Sequence, residues 1–129
     1  RAMHILQKLA DDLSTGTNTD VDPEIMTQQS LAASMSEADI IIHCTPVGMH
    51  PKQDVSLVPI DLFRSGQVVF DIVYTPLETR LLKDAKASGL QTISGVEMFI
   101  NQAILQFERF TGEAAPTAAM RNVVLKMLG

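Results

Sequence analysis

The chain has 129 residues, 46% of them hydrophobic and 19% charged, and a formal net charge of −5. That length allows one domain or part of one, with a sizeable core, and the acidic balance argues against nonspecific binding to nucleic acid or anionic membranes. The single cysteine, Cys44, excludes an intrachain disulfide and fits a reducing cytoplasm, and no apolar run is long enough to span a bilayer.

Met3, Leu6, Leu9, Ala10 and Leu13 recur at helical spacing and predict a helix over 1–13. Its sequence, RAMHILQKLADDL, is amphipathic and carries acids, unlike a signal peptide. No capping residue precedes it, so the sequence reads as entered within a helix, with more chain upstream. Ser14–Asp20 is polar and turn-like, with room for a short edge strand at most. Asp22-Pro23-Glu24 predicts a helix start, with Asp as N-cap and Pro in the first turn, and one or two helices to Met35. Ala38–Cys44 is a continuous apolar run that reads as a strand covered on both faces. Val58–Phe63 reads as a short helix or turn, and Gln67–Val73 as a second buried strand entered through Ser65-Gly66. Leu77–Ser88 predicts a helix with Leu77, Leu81, Leu82 and Ala85 inward, stopped by Gly89. Leu90–Ile93 is a short third strand. Ser94-Gly95 leads into a long helix, Val96–Phe110, ended by Gly112, with Val96, Phe99, Ala103, Phe107 and Phe110 on its core face. Pro116 opens a last helix, Thr117–Leu128.

Strands alternating with helices specify an α/β fold with a mainly parallel sheet. Ligands of such sheets sit outside the carboxyl ends of the strands. Two stretches lie there: IIIHCTPVGMH (Ile40–His50), which breaks into an apolar, glycine-containing loop, and FDIVYTP (Phe70–Pro76), which carries the only tyrosine. No two of the seven glycines are separated by one residue, so the G-x-G-x-x-G phosphate loop of a dinucleotide sheet is missing, and no P-loop is present. The pattern is the later half of an α/β sheet whose first strand is absent. Pattern alone does not establish nucleotide binding. His43, Cys44 and His50 do not make a zinc site, because strand neighbours point to opposite faces and a fourth ligand is missing. Cys44 reads as a small buried apolar residue. The acids Asp11, Asp12, Asp20, Asp22 and Glu24 lack the spacing of a calcium loop and read as a solvated face.

Four motifs, in order and suitably spaced, resemble the C-terminal part of shikimate dehydrogenase. His43-Cys44-Thr45-Pro46-Val47-Gly48-Met49 resembles that family's Asn-x-Thr-Pro-x-Gly-Met loop. Phe70-Asp71-Ile72-Val73-Tyr74-Thr75-Pro76 resembles its strand ending in Asp-x-x-Tyr-x-Pro, with Thr79-x-Leu-Leu after it. Ser94-Gly95-x-x-Met98-x-x-x-Gln102-Ala103 resembles its Gly-x-x-Met-x-x-x-Gln-Ala helix start. Phe107-Glu108-x-Phe110-Thr111-Gly112 and Pro116 match its terminal helices. The resemblance covers about Ala38–Leu128. His43 departs from it, standing where the family usually has Asn.

The resemblance implies a Rossmann-like, mainly parallel sheet truncated at its N-terminal strand, with C-terminal helices. Residues 1–112 would be a partial NADP-binding domain. Residues 113–129 would be a helix packing back on it or toward a substrate domain that this sequence lacks. It implies NADP as cofactor, with 3-dehydroshikimate reduced to shikimate in chorismate and aromatic amino-acid biosynthesis. Thr45, Pro46, Ile72, Gly95 and Met98 would line the cofactor groove. Arg1 would clamp the 2′-phosphate. Tyr74 and Gln102 would bind shikimate. The family's catalytic Lys and Asp lie in the absent domain, so no catalytic residue is assigned here and the 129-residue chain alone is expected to be inactive. The residues allow this reading: Met98 and Gln102 share a helix face, and Gly95, without a Cβ, would let backbone approach a flat ring.

Blander readings stand beside each assignment. Tyr74 is also a half-buried strand-end tyrosine, Gln102 a solvated helix residue, Met98 core filler, Thr45-Pro46-x-Gly48 an ordinary turn and Arg1 a frayed surface residue. Competing functions are a quinate/shikimate dehydrogenase using NAD and a fusion with 3-dehydroquinate dehydratase. The non-enzyme reading is an inert fragment or interaction module, whose exposed sheet edge would pair two copies into a homodimer.

Overall fold

The computed structural model describes residues 2–128. They fall into two compact units, 1–34 and 35–129.

The first unit begins with α1 (Ala2–Gly16). The helix runs through Ser14, so the polar segment expected to turn, or to form an edge strand, instead contributes its last turn. Ile5, Leu9 and Leu13 on α1 are exposed. The helix start expected at Asp22 does not form; α2 spans Gln28–Glu37. Thr27 and Ser30 start it by reciprocal capping. The Ser30 N–H donates to Thr27 Oγ1 at 3.0 Å, and the Thr27 N–H donates to Ser30 Oγ at 2.8 Å. This is a capping box with serine in place of the usual Glu or Gln. Its two bonds satisfy donors that the Asp22 site would have left four residues or more away.

In the second unit, β1 (Ile40–His43), β2 (Val68–Asp71) and β3 (Gln91–Ser94) form a parallel sheet in that order. The register sets His43 beside Asp71 and Asp71 beside Ser94. Between the first two strands lie a long loop and a single 3₁₀ turn, Ile60–Leu62. Buried Gln67 ties the start of β2 to the end of α2: its Nε2 donates to Met35 O at 2.7 Å and Ala38 O at 2.9 Å, while its Oε1 accepts from the Arg64 N–H at 2.7 Å. Helix α3 (Arg80–Ala87) follows β2, then α4 (Gly95–Thr111) follows β3, and α5 (Thr117–Leu128) ends the chain.

Helix α3 begins three residues later than its apolar pattern suggested, because Thr79 is its N-cap and accepts from the Leu82 N–H at 3.4 Å. Its inward Leu81, Leu82 and Ala85 join Val69, Val96 and Ile100 in the core. Gly112 closes α4 in the left-handed region (φ 74°), its N–H donating to Glu108 O. Phe110, expected on the core face, is 87% exposed. The 3.6-residue period carries the buried face through Val96 and Ile100 near the start of α4, and the burial does not extend to its last turn.

The expectation of strands covered on both faces also fails. Ile40 and Ile42 of β1 are exposed, as is Ile93 of β3, while the opposite side of β2 buries Val69 and Asp71 fully. The register aligns Ile42, Phe70 and Ile93 in one row. One sheet face is therefore packed and the other carries an open apolar row.

Candidate functional site

Both loops singled out in the sequence leave the sheet at its carboxyl end. β2 stops at Asp71, so Ile72–Thr75 is a loop and Tyr74 stands three residues past the strand. A groove of about 340 Å³ opens there, lined by Cys44, Thr45, Pro46 and Met49 from the first loop and Ile72–Thr75 from the second. The lining is mostly apolar, with hydroxyls at Thr45, Tyr74 and Thr75.

Four of the expected site residues, Thr45, Pro46, Ile72 and Tyr74, thus meet in one groove. Gly95 stands behind it at the start of α4. A Cβ there would lie 2.3 Å from Ile72 O and 2.5 Å from Val73 O. The close approach that glycine permits is to the exit of β2. Met98 and Gln102 follow along α4, half-buried and exposed respectively, outside the groove lining. Arg1 lies outside the described residues. Cys44, expected to be buried, is exposed at the groove. The strand ends at His43, and the turn beyond it directs the thiol outward.

Tyr74 stacks on Phe99 of α4, with ring centroids 5.0 Å apart and planes at 23°. The stack fixes the ring while leaving Tyr74 42% exposed. Phe99 therefore supports the site, a role hidden behind its apolar helical spacing.

Beneath the groove lies a buried polar network absent from the sequence reading. Asp71, fully buried, accepts three hydrogen bonds. Val73 N–H donates to Oδ1 at 3.0 Å, the Thr79 hydroxyl to Oδ2 at 2.6 Å, and His43 Nδ1 to Oδ1 at 3.0 Å. The other ring nitrogen, His43 Nε2, is 2.6 Å from Thr45 Oγ1, which also accepts from the Val47 N–H at 3.3 Å. A ring carrying its proton on Nδ1 satisfies every contact, with the Thr45 hydroxyl donating to Nε2. Burial pushes the Asp71 carboxyl upward. The bonds from His43, Thr79 and Val73, with the electrostatic pull of His43, outweigh it and hold the group below the ordinary aspartate value. The sequence did carry a signal: His43 and Asp71 are the polar residues closing the two apolar strand runs.

This arrangement suits a flat, partly apolar ligand lying across strand ends, with hydroxyl donors at its rim. Among the described residues, no three His, Cys, Asp or Glu side chains are placed to hold a metal ion. No described helix is long and apolar enough to cross a membrane.

Comparison with known proteins matches the same elements. The family model for the shikimate 5′-dehydrogenase C-terminal domain matches residues 95–125, which are α4 and most of α5. A shikimate dehydrogenase (NADP(+)) from Methanosarcina acetivorans is 47% identical over 94 residues, covering 73% of this chain and 34% of that protein. The chain belongs to the shikimate dehydrogenase family. Its fold agrees with that of solved members. The Listeria monocytogenes shikimate 5-dehydrogenase, in complex with shikimate and NAD, superposes with a TM-score of 0.83 at 29% identity, over 92% of this chain and 42% of that one. Quinate dehydrogenase from Corynebacterium glutamicum, in complex with NAD, gives 0.80 at 31% identity, over 94% of this chain and 42% of that one. The chain spans less than half the length of each of these three proteins. The sheet is the mainly parallel, Rossmann-like sheet expected from the sequence.

Proposed function

We propose that this chain forms the nicotinamide-side part of the cofactor site in an NADP-dependent shikimate dehydrogenase, a cytoplasmic enzyme reducing 3-dehydroshikimate to shikimate for chorismate and aromatic amino-acid biosynthesis. The observation that carries the reading is the convergence of Thr45, Pro46, Ile72 and Tyr74 on one groove at the carboxyl ends of β1 and β2. NADP, when bound, supplies the hydride. Thr45, Pro46 and Ile72 line its groove. Gly95 lets α4 come close behind Ile72, and Met98 extends the apolar wall along α4. Tyr74, braced by Phe99, offers its hydroxyl to shikimate, and Gln102, exposed on α4, offers its amide. Arg1 takes the 2′-phosphate. The proton is handled by groups outside residues 1–129.

In this reading residues 1–112 are a partial NADP-binding domain and residues 113–129 are a helix packed back upon it. The ion pair between Arg121 of α5 and Glu97 of α4, with Nη1 2.6 Å from Oε1, supports that packing. The Arg121 guanidinium holds the Glu97 carboxyl below its ordinary value.

The reading is tested in a full-length polypeptide carrying this chain, by following nicotinamide reduction with shikimate and NADP⁺ and, in parallel, with quinate and NAD⁺. Turnover with the first pair alone supports it. A preference for quinate and NAD⁺ moves the assignment to a quinate dehydrogenase, the second reading, favoured by the resemblance to the Corynebacterium glutamicum enzyme. No turnover with either pair by the folded protein removes the enzymatic reading, and an interaction module forming a homodimer through the sheet edge takes its place.

A further inference from the structure

We infer that His43 is a positioning residue for the Thr45–Pro46 wall of the dinucleotide groove, acting through Thr45 and anchored on Asp71; the inference rests on the function proposed above. Neither His43 nor Asp71 lines the groove. Both are buried, His43 at 8% exposure and Asp71 at 0%. Their connections run from one groove wall to the helix behind the other. Val47 N–H donates to Thr45 Oγ1, Thr45 to His43 Nε2, His43 Nδ1–H to Asp71, Thr79 O–H to Asp71, and Leu82 N–H to Thr79. Val73 N–H adds the backbone of the second wall to the same carboxylate.

Two features make this a positioning device rather than simple core filling. First, each bond belongs to an element that carries or supports the groove: the loop after β1, the loop after β2, and the N-cap of α3. Second, the imidazole bridges the two strand ends, with Nδ1 on Asp71 of β2 and Nε2 on Thr45 after β1. Thr45 is exposed at the groove, and the Val47 N–H alone holds its hydroxyl only by a long 3.3 Å bond. The His43 bond to its hydroxyl selects one rotamer and presents the rest of the side chain to the groove. Asparagine, the usual family residue here, has a donor amide nitrogen and an acceptor carbonyl oxygen with a shorter reach. Histidine, with a nitrogen on each side of a ring, reaches Asp71 and Thr45 over a longer span.

The test uses the full-length polypeptide with His43→Leu, His43→Asn and Thr45→Ala. His43→Leu should raise KM for the dinucleotide about fivefold, the size expected for losing the neutral Thr45–His43 hydrogen bond, with kcat and the shikimate KM changed less than twofold. His43→Asn should restore most of that loss. Thr45→Ala removes only the outer link, leaves the buried carboxylate its donors, and should reproduce the dinucleotide effect even if His43→Leu fails to fold. A parallel loss in every kinetic parameter, or an unchanged dinucleotide KM in Thr45→Ala, would overturn the inference. A second readout is independent of turnover. Nitrogen-15 NMR of the His43 ring should show the proton on Nδ1, and the Val47 amide should exchange faster in Thr45→Ala while the Leu82 amide does not. If neither shikimate nor quinate is oxidised, the proposed function fails and these signals alone decide the positioning role. A ring proton on Nε2, or unchanged Val47 exchange, refutes it.

Discussion

Replacing Gly95 by alanine sets two opposing effects against each other at one atom. The new Cβ would meet Ile72 O at 2.3 Å, Ile72 C at 2.5 Å and Val73 O at 2.5 Å. Ordinary carbon contacts begin about 1 Å further out. All three neighbours are backbone, so no side chain can rotate aside and the β2 exit must separate from the α4 N-terminus. Overpacking of this kind costs about 1–3 kcal/mol, and a clash with fixed backbone belongs at the upper end. In the other direction, alanine favours the helix by up to about 1 kcal/mol over glycine, part of it through the unfolded chain. The balance is a loss of about 2 kcal/mol. With a urea m-value of about 1–3 kcal/mol per molar, the unfolding midpoint should fall by roughly 1 M. Equilibrium urea unfolding followed by circular dichroism measures it. An unchanged or raised midpoint would show that helix propensity prevails and that α4 does not press against the β2 exit as closely as described.

Other outcomes follow from the buried network and the groove. Asp71 holds its folded-state carboxyl below the ordinary value of 3.8, so its contribution to stability is complete above that value and is lost as the pH falls through the lowered one. Asp71→Asn should therefore destabilise the fold at neutral pH, by about 2 kcal/mol, and flatten the acid limb of a stability-against-pH curve; an acid limb identical to the parent's would count against the network. Thr79→Val removes both the α3 N-cap and a donor to Asp71, and should cost about 1–2 kcal/mol in thermal or urea unfolding; a stability within experimental error of the parent would refute the double role. In a full-length polypeptide, Tyr74→Phe should weaken shikimate more than NADP; equal losses for both ligands would remove Tyr74 from the substrate side.

Much of this structure was readable because it is local. Ile40–Ile42 and Val68–Phe70 announce strands, though not their cover, by continuous β-branched and aromatic residues, and Gly112 ends α4 where its left-handed backbone is required. The α2 start was not readable in the same way. Asp22-Pro23 has the better composition, but Thr27 and Ser30 have the better geometry, and a serine in the fourth place of a capping box is a weak signal. The two stretches that hold Thr45, Pro46, Ile72 and Tyr74 stood out by their positions at strand ends, and the family resemblance assigned the individual residues. His43, Asp71 and Thr79 were missed as a group because their contact arises only when two strands align across 28 residues of sequence. The open row at Ile42 and Ile93 was also illegible: a run of isoleucines reports that a face wants cover, without saying whether the chain at hand supplies it.

The pairing of His43 with Asp71 has a consequence for how the chain recognises its own alignment. The residues that face each other along β1 and β2 are Ile40 with Val68, Ile41 with Val69 and Ile42 with Phe70. A one-residue slip would carry each apolar side chain to the other sheet face, whereas a two-residue slip would keep the faces and exchange one apolar contact for another. A shift would not be neutral at the end of the ladder. It would set the Asp71 carboxylate beside a residue other than His43, strip it of its histidine donor and leave a desolvated charge poorly compensated. Two polar residues, the last of each strand, thereby distinguish one alignment of a hydrophobic pair from all its near equivalents.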